Sequence, residues 1–187
     1  MPSKNFYDNY LQVLVAIELC ERQNLLLPAL IMTYSAIDSV SWLAADSSKD
    51  SGKAFKKWVS EWMLKSRSLE CSADELYAAR CGILHTFTPT STLNAKGVRK
   101  IGYSWGAGDN SKLEQLIDAT RSQETIVSIH LSDLIQTFRN AMADYLEYVY
   151  SDPQREAAFE AKTSEHFSTL GIETVDEYLE LKANSPH

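Results

Sequence analysis

Two adjoining stretches near the start of the chain limit its fold more than anything else in it. Phe6–Gln23 carries Tyr7, Leu11, Leu14, Val15 and Glu18 at helical spacing. Leu26–Ala45 repeats the pattern with Leu30, Ile31, Tyr34, Ile37, Val40, Ser41 and Ala44. Residues three and four apart share a face only on a helix, so both read as long helices. Pro28 stands near the start of the second, where its missing N–H costs little. With seven Gly and five Pro in 187 residues, few breaks interrupt such elements.

The rest of the chain continues in kind. Asp46–Gly52 reads as a polar loop, and Lys53–Leu64 as a third, shorter helix with Phe55, Val59 and Trp62 on one side. Ser72-Ala73-Asp74-Glu75 is a capping box. The serine hydroxyl accepts from the Glu75 N–H while the Glu75 carboxylate reaches back to Ser72. The helix it starts is expected from about Ala73 to His85, stopping before Pro89. Thr90–Val98 reads as a loop. Lys100–Trp105 and Thr125–Leu131 are short, aromatic and β-branched, and read as paired strands flanking a short helix at Lys112–Ala119. Ser132–Tyr150 is another long amphipathic helix. An acidic helix follows Asp152-Pro153 to about Leu170, with a break at Gly171 and a last turn over Thr174–Leu181. The expectation is an all-α fold: one domain, a bundle of long antiparallel helices with a small hairpin-like two-strand β insertion. Its core covers about residues 6–150, and 151–187 form an acidic helical extension.

Charge and cysteines narrow the function classes. Eighteen bases against twenty-five acids give 18 − 25 = −7, which argues against a general nucleic-acid coat protein. The charge is uneven. Glu147–Glu180 holds nine acids and two bases, whereas Lys49–Arg67 holds six bases and two acids. Cys20, Cys71 and Cys81 have no CxxC spacing and read as reduced buried thiols of a cytoplasmic protein. The longest apolar runs, such as Leu25–Met32, are short for a bilayer, and the N-terminus lacks a secretory apolar stretch, so no membrane partner is expected.

The chemistry-bearing stretch is Arg80-Cys81-Gly82-Ile83-Leu84-His85. Metal-free RNA cleavage uses the ribose 2′-hydroxyl as nucleophile. It needs a proton acceptor, a proton donor and positive charge for the crowded phosphorane. Histidine exchanges protons near neutral pH, and arginine offers a planar, permanently charged fork to two phosphate oxygens. Five residues on an ideal helix turn through about 500°, which leaves the two side chains diverging by about 140°. Two arrangements close the gap: His85 just past the last helical turn, or a site shared across a twofold dimer. The plain structural alternative is an Arg80 that ties helices together through Asp38 or Glu75, with His85 capping a helix C-terminus.

The stretch resembles the R-x4–6-H motif of HEPN domains, and the preceding Leu30–Ala44 helix, with Asp38 in an apolar pattern, resembles their earlier acidic helix. The resemblance spans roughly Leu11–Tyr150, though its specific part is six residues. It implies a helical bundle and a metal-independent endoribonuclease acting on single-stranded RNA at a homodimer interface. Such proteins are often toxins or defence nucleases, which brings in an antitoxin or other protein partner. Arg80 and His85 match the motif, and Asp38 would orient Arg80; no cofactor or metal is implied. Where many active members carry a polar residue, often Asn, after the arginine, this chain has Cys81. Non-catalytic interaction or ligand-binding modules of the same fold form the alternative.

Three further patterns in the chain bear on function. Trp42, Phe55, Trp58 and Trp62 mix with Lys53, Lys56, Lys57, Lys65 and Arg67, so the lysines could track an RNA backbone while aromatics stack on bases. An amphipathic helix with solvated lysines looks the same. Gly102-Tyr103-Ser104-Trp105-Gly106 matches a nucleophile elbow, with Asp133 and His166 in the required order, but too few strands exist for a hydrolase sheet. The histidines 85, 130, 166 and 187 are scattered, with no metal-ligand spacing.

Overall fold

The computed structural model of the chain describes residues 4–45, 50–65 and 69–166. Among these described residues, seven α-helices and two strands occur in the order α1 (Lys4–Arg22), α2 (Leu26–Ala44), α3 (Ser51–Trp58), α4 (Ala73–Thr86), β1 (Lys100–Ser104), α5 (Ser111–Ala119), β2 (Ile126–His130), α6 (Leu131–Tyr150) and α7 (Pro153–His166). The fold is therefore mostly helical with a small β insertion. The expected break at Gly171 and turn at Thr174–Leu181 lie outside the described residues, as does most of the Asp46–Gly52 loop.

Helix α2 occupies the centre and packs against α1, α3, α4, α6 and α7. Its Leu30, Tyr34, Ile37, Val40 and Leu43 are buried, as are Ala29, Thr33, Ala36 and Ser41. This nineteen-residue helix is long and apolar enough to cross a membrane by length and composition, which counting apolar runs did not anticipate. Half of it is buried within the protein. Around it lie Phe55, Trp58 and Met63, Leu76 and Ile83, and Leu134 and Phe138. Each such side chain contributes about 1.5–3 kcal/mol by leaving water. Helix α7 packs on α1, α2 and α6 and places Phe159 and Thr163 in the interior.

Helix α1 is turned partly away from its most visible apolar stripe, of which Leu14 still packs against the core. Its core contacts are Phe6, Tyr10 and Ile17, while Tyr7, Leu11, Val15 and Leu19 are exposed, Leu11 by 63%.

The two strands pair in parallel, Lys100 opposite Ile126 and Ser104 opposite His130. The hairpin-like expectation is thus corrected. Strands of a hairpin run in opposite directions, whereas α5 carries the chain back to the same end, as a parallel pair requires. The third helix is also shorter than Lys53–Leu64. After Trp58 the chain widens into a π-helical turn over Val59–Met63, in which the Leu64 N–H donates to the Val59 carbonyl at 2.9 Å.

Candidate active site

The Ser72 capping box forms as its spelling demands. The Glu75 N–H donates to Ser72 Oγ at 3.2 Å, and the Ser72 N–H donates to Glu75 Oε2 at 2.8 Å. Asp74 and Glu75 sit at the positive end of the α4 dipole. Glu75 also accepts from Arg99 Nε at 2.5 Å, which ties the start of α4 to the approach to β1. Arg80 is therefore not partnered by Glu75. The helix ends at Thr86, with Phe87 in the left-handed region at φ 55°, so His85 lies in its last turn.

Arg80 crosses to α2. One Nη2 N–H donates to Asp38 Oδ2 in a short ion pair, and Nη1 lies 3.5 Å from His85 Nε2. The guanidinium thus touches both other members of the expected triad within one chain. Helical geometry separates the Cα–Cβ directions of Arg80 and His85, but arginine's four side-chain torsions span the difference. The Arg80 side chain is 14% exposed and that of Asp38 25%, while His85 is exposed. Burial works against the Arg80 charge, but the Asp38 hydrogen bond and charge more than compensate. Its pKa therefore lies above the ordinary arginine value. Arg80 Nε is buried and makes no hydrogen bond.

Three features beside the triad were not evident beforehand. Tyr77, one turn before Arg80, presents its ring to both Arg80 (6.0 Å) and Lys56 (5.8 Å). Cys81 lies against both the Tyr77 hydroxyl and the Arg80 guanidinium. Their signal was the i, i+3 and i, i+4 spacing from Tyr77. Gly82 carries the third feature. A Cβ there would stand 2.5 Å from the Thr88 carbonyl oxygen and 2.7 Å from that of Thr90. The segment after His85 therefore folds back onto α4 at the one position with no side chain. Thr86 Oγ1 adds a hydrogen bond to the Gly82 carbonyl at 2.8 Å.

A cleft of about 360 Å³ opens beside the ion pair, lined by Ser35, Asp38, Ser39, Trp42, Ser51 and Leu84. Of the three residues Asp38 alone lines this cleft, while the Arg80 guanidinium lies between Asp38 and the exposed His85.

The three lysines expected to bind RNA diverge. Lys56 pairs with Asp74 at 3.1 Å beside the Tyr77 ring, on the Arg80 side of the molecule. Lys53 is exposed and 3.7 Å from Asp50, and Lys57 lines a different cavity between α3, α6 and α7. Of the interleaved aromatics, Phe55 and Trp58 are core residues and unavailable to stack on bases.

The nucleophile-elbow match resolves into a polar knot. Ser104 Oγ donates to Asn110 Oδ1 at 2.8 Å, and Asn110 Nδ2 donates to Ser128 Oγ at 2.7 Å and to Glu114 Oε1 at 3.1 Å. Among the described residues, no imidazole is bonded to the Ser104 hydroxyl. His130 is buried and caps α6, its Nδ1 accepting from the Ser132 N–H at 3.3 Å. Among the described residues, no group of three His, Cys, Asp or Glu side chains gathers as metal ligands. No protein-family model, no curated protein and no solved structure matches the chain.

Proposed function

We propose that the chain is a HEPN-like bundle of antiparallel helices that cleaves single-stranded RNA without a metal ion, as a cytoplasmic homodimer, with an antitoxin as a further partner. The observation that carries this reading is the shared contact of Arg80 with Asp38 and His85 within one chain. Asp38 holds the guanidinium so that its remaining N–H donors meet the scissile phosphate. His85 exchanges protons with the 2′-hydroxyl or the leaving 5′-oxygen, a role worth about 10²–10⁴-fold. Arg80 offsets the growing charge of the phosphorane. Lys56, next to Tyr77, supports a neighbouring phosphate.

Purified protein is expected to cleave single-stranded RNA in EDTA, leaving a 2′,3′-cyclic phosphate. Arg80→Ala and His85→Ala should each abolish cleavage. Cleavage that survives in both variants removes these residues from the mechanism. Light scattering should give twice the 21.0 kDa chain mass, and a single-chain mass counts against the dimer.

A second reading is a non-catalytic interaction module of the same fold. The exposed Tyr7, Leu11, Val15 and Leu19 stripe favours it, since a contiguous apolar face on a charged protein is a usual sign of an interaction surface. It requires that the wild-type protein turn over no RNA.

A further inference from the structure

A second cavity lies on the other side of the α2 C-terminus, between α3, the π-helical turn, α6 and α7. Its volume of about 420 Å³ falls in the range of small-molecule sites. Trp62 and Tyr148 supply flat, partly exposed walls, and the buried Trp58 and Phe159 complete the aromatic lining. Trp62 is half-buried and lies 5.2 Å from Tyr148, at a tilt of 52°.

The charge of this cavity runs against that of the chain. The protein carries −7, yet the lining holds Lys57, Arg155 and Lys162 against one acid, Glu61. Two of the cations are fixed. Arg155 lies flat on Tyr148, 3.9 Å from the ring centre, with Nε on the Tyr148 carbonyl and Nη2 on Ser151 Oγ. Lys162 caps α2 through the carbonyls of Trp42, Leu43 and Ala45. Lys57 is exposed, and among the described residues no acid pairs with it.

Two backbone and polar features point to the same place. The π-helical turn, a sparse geometry common at functional sites, puts both Glu61 and Trp62 on the cavity. Trp58 is a wall residue, and its indole N–H is buried with no hydrogen-bond partner. A buried donor without a partner is rare in folded proteins.

We infer that this cavity binds a small molecule with a flat aromatic ring and an anionic group, the ring against Trp62 and the anion beside Lys57 and Arg155. The inference stands without the RNA-cleavage reading, because it uses none of Asp38, Arg80 or His85.

The test is saturation-transfer NMR and calorimetry with benzoate, indole-3-acetate and 2-naphthoate, each against its carboxamide, and with acetate as a ringless control. At least one aromatic acid should bind saturably, about tenfold or more tighter than its amide, which is about 1.4 kcal/mol. Lys57→Glu, a change at an exposed position, should weaken that acid at least tenfold without altering the melting temperature. Trp62→Ala should weaken it similarly, with folding checked by circular dichroism. Arg80→Ala and His85→Ala should bind as the wild type does. Absence of saturable binding to every acid at about 1 mM overturns the site. So does equal binding of acid and amide, or binding that Lys57→Glu leaves unchanged.

Discussion

At the scale of single residues, the Arg80–Asp38 pair and Gly82 do separate jobs. The pair is only partly exposed, so neutralising one partner leaves the other desolvated and alone. Asp38→Asn is expected to lower stability by about 1–3 kcal/mol in urea titrations. The double change Asp38→Asn/Arg80→Gln should cost less than the sum of the single changes, and simple additivity would show that the ion pair contributes little. Gly82 acts through space rather than charge. Alanine within a helix ordinarily gains about 0.8–1.0 kcal/mol over glycine. Here the methyl group would collide with two backbone carbonyls, so Gly82→Ala should destabilise by about 1–3 kcal/mol instead. It should also displace the segment after His85, and a stabilised variant would show that Thr88–Thr90 moves aside freely. The sequence named Arg80, Asp38 and His85 as a group, and the structure brings them together. An ideal-helix angle describes Cβ directions and says nothing of how far a long guanidinium can reach back, which is why the contact was not foreseeable from spacing.

At the scale of elements, legibility tracked how local the determining physics is. The capping box is a four-residue device, and its two hydrogen bonds appear as spelled. Ser72→Ala should therefore cost about 1 kcal/mol, measured by thermal or urea melting. An unchanged midpoint would mean that α4 is held by packing and the Glu75–Arg99 pair alone. The strand segments were also readable, from β-branched and aromatic content. Their direction was not, because it depends on where α5 delivers the chain. Helix α1 gives a further lesson. Tyr7, Leu11 and Val15 mark a helical period, but so do Phe6, Tyr10 and Ile17, and only packing against α2 and α7 decides which face turns inward. The π-helical turn has no sequence signature in this chain, since Val59, Trp62 and Met63 stand at spacings that an ordinary α-helix also places on one face.

At the scale of the whole molecule, buried weak acids set how the fold meets alkali. The buried Tyr34 and the partly buried Tyr103 share a hydrogen bond of 2.5 Å, and desolvation raises both phenols above their usual range. Tyr10, buried between α1 and α2, shifts the same way for the same reason. Cys71 lies near this pair, and burial first, then the Glu75 charge, push its thiol from 9.0 to about 12. In every case the folded chain holds a proton that the unfolded chain releases more readily. The folded state then binds more protons than the unfolded state as pH climbs, and unfolding free energy falls with pH. For Cys71 that contribution is intact below pH 9 and disappears as pH passes about 12. Urea titrations should therefore show stability declining steadily above pH 9. Tyrosine absorbance near 295 nm should rise in two stages, exposed phenols first and Tyr10, Tyr34 and Tyr103 only as circular dichroism is lost. A variant with Cys71 as its only cysteine should react with a disulfide reagent at pH 8 far more slowly when folded than in urea, because its thiol stays protonated. Equal rates in the two states would mean that the protons of this cluster do not couple to the fold. Alkaline unfolding would then be traced to the repulsion of a chain already carrying a charge of −7.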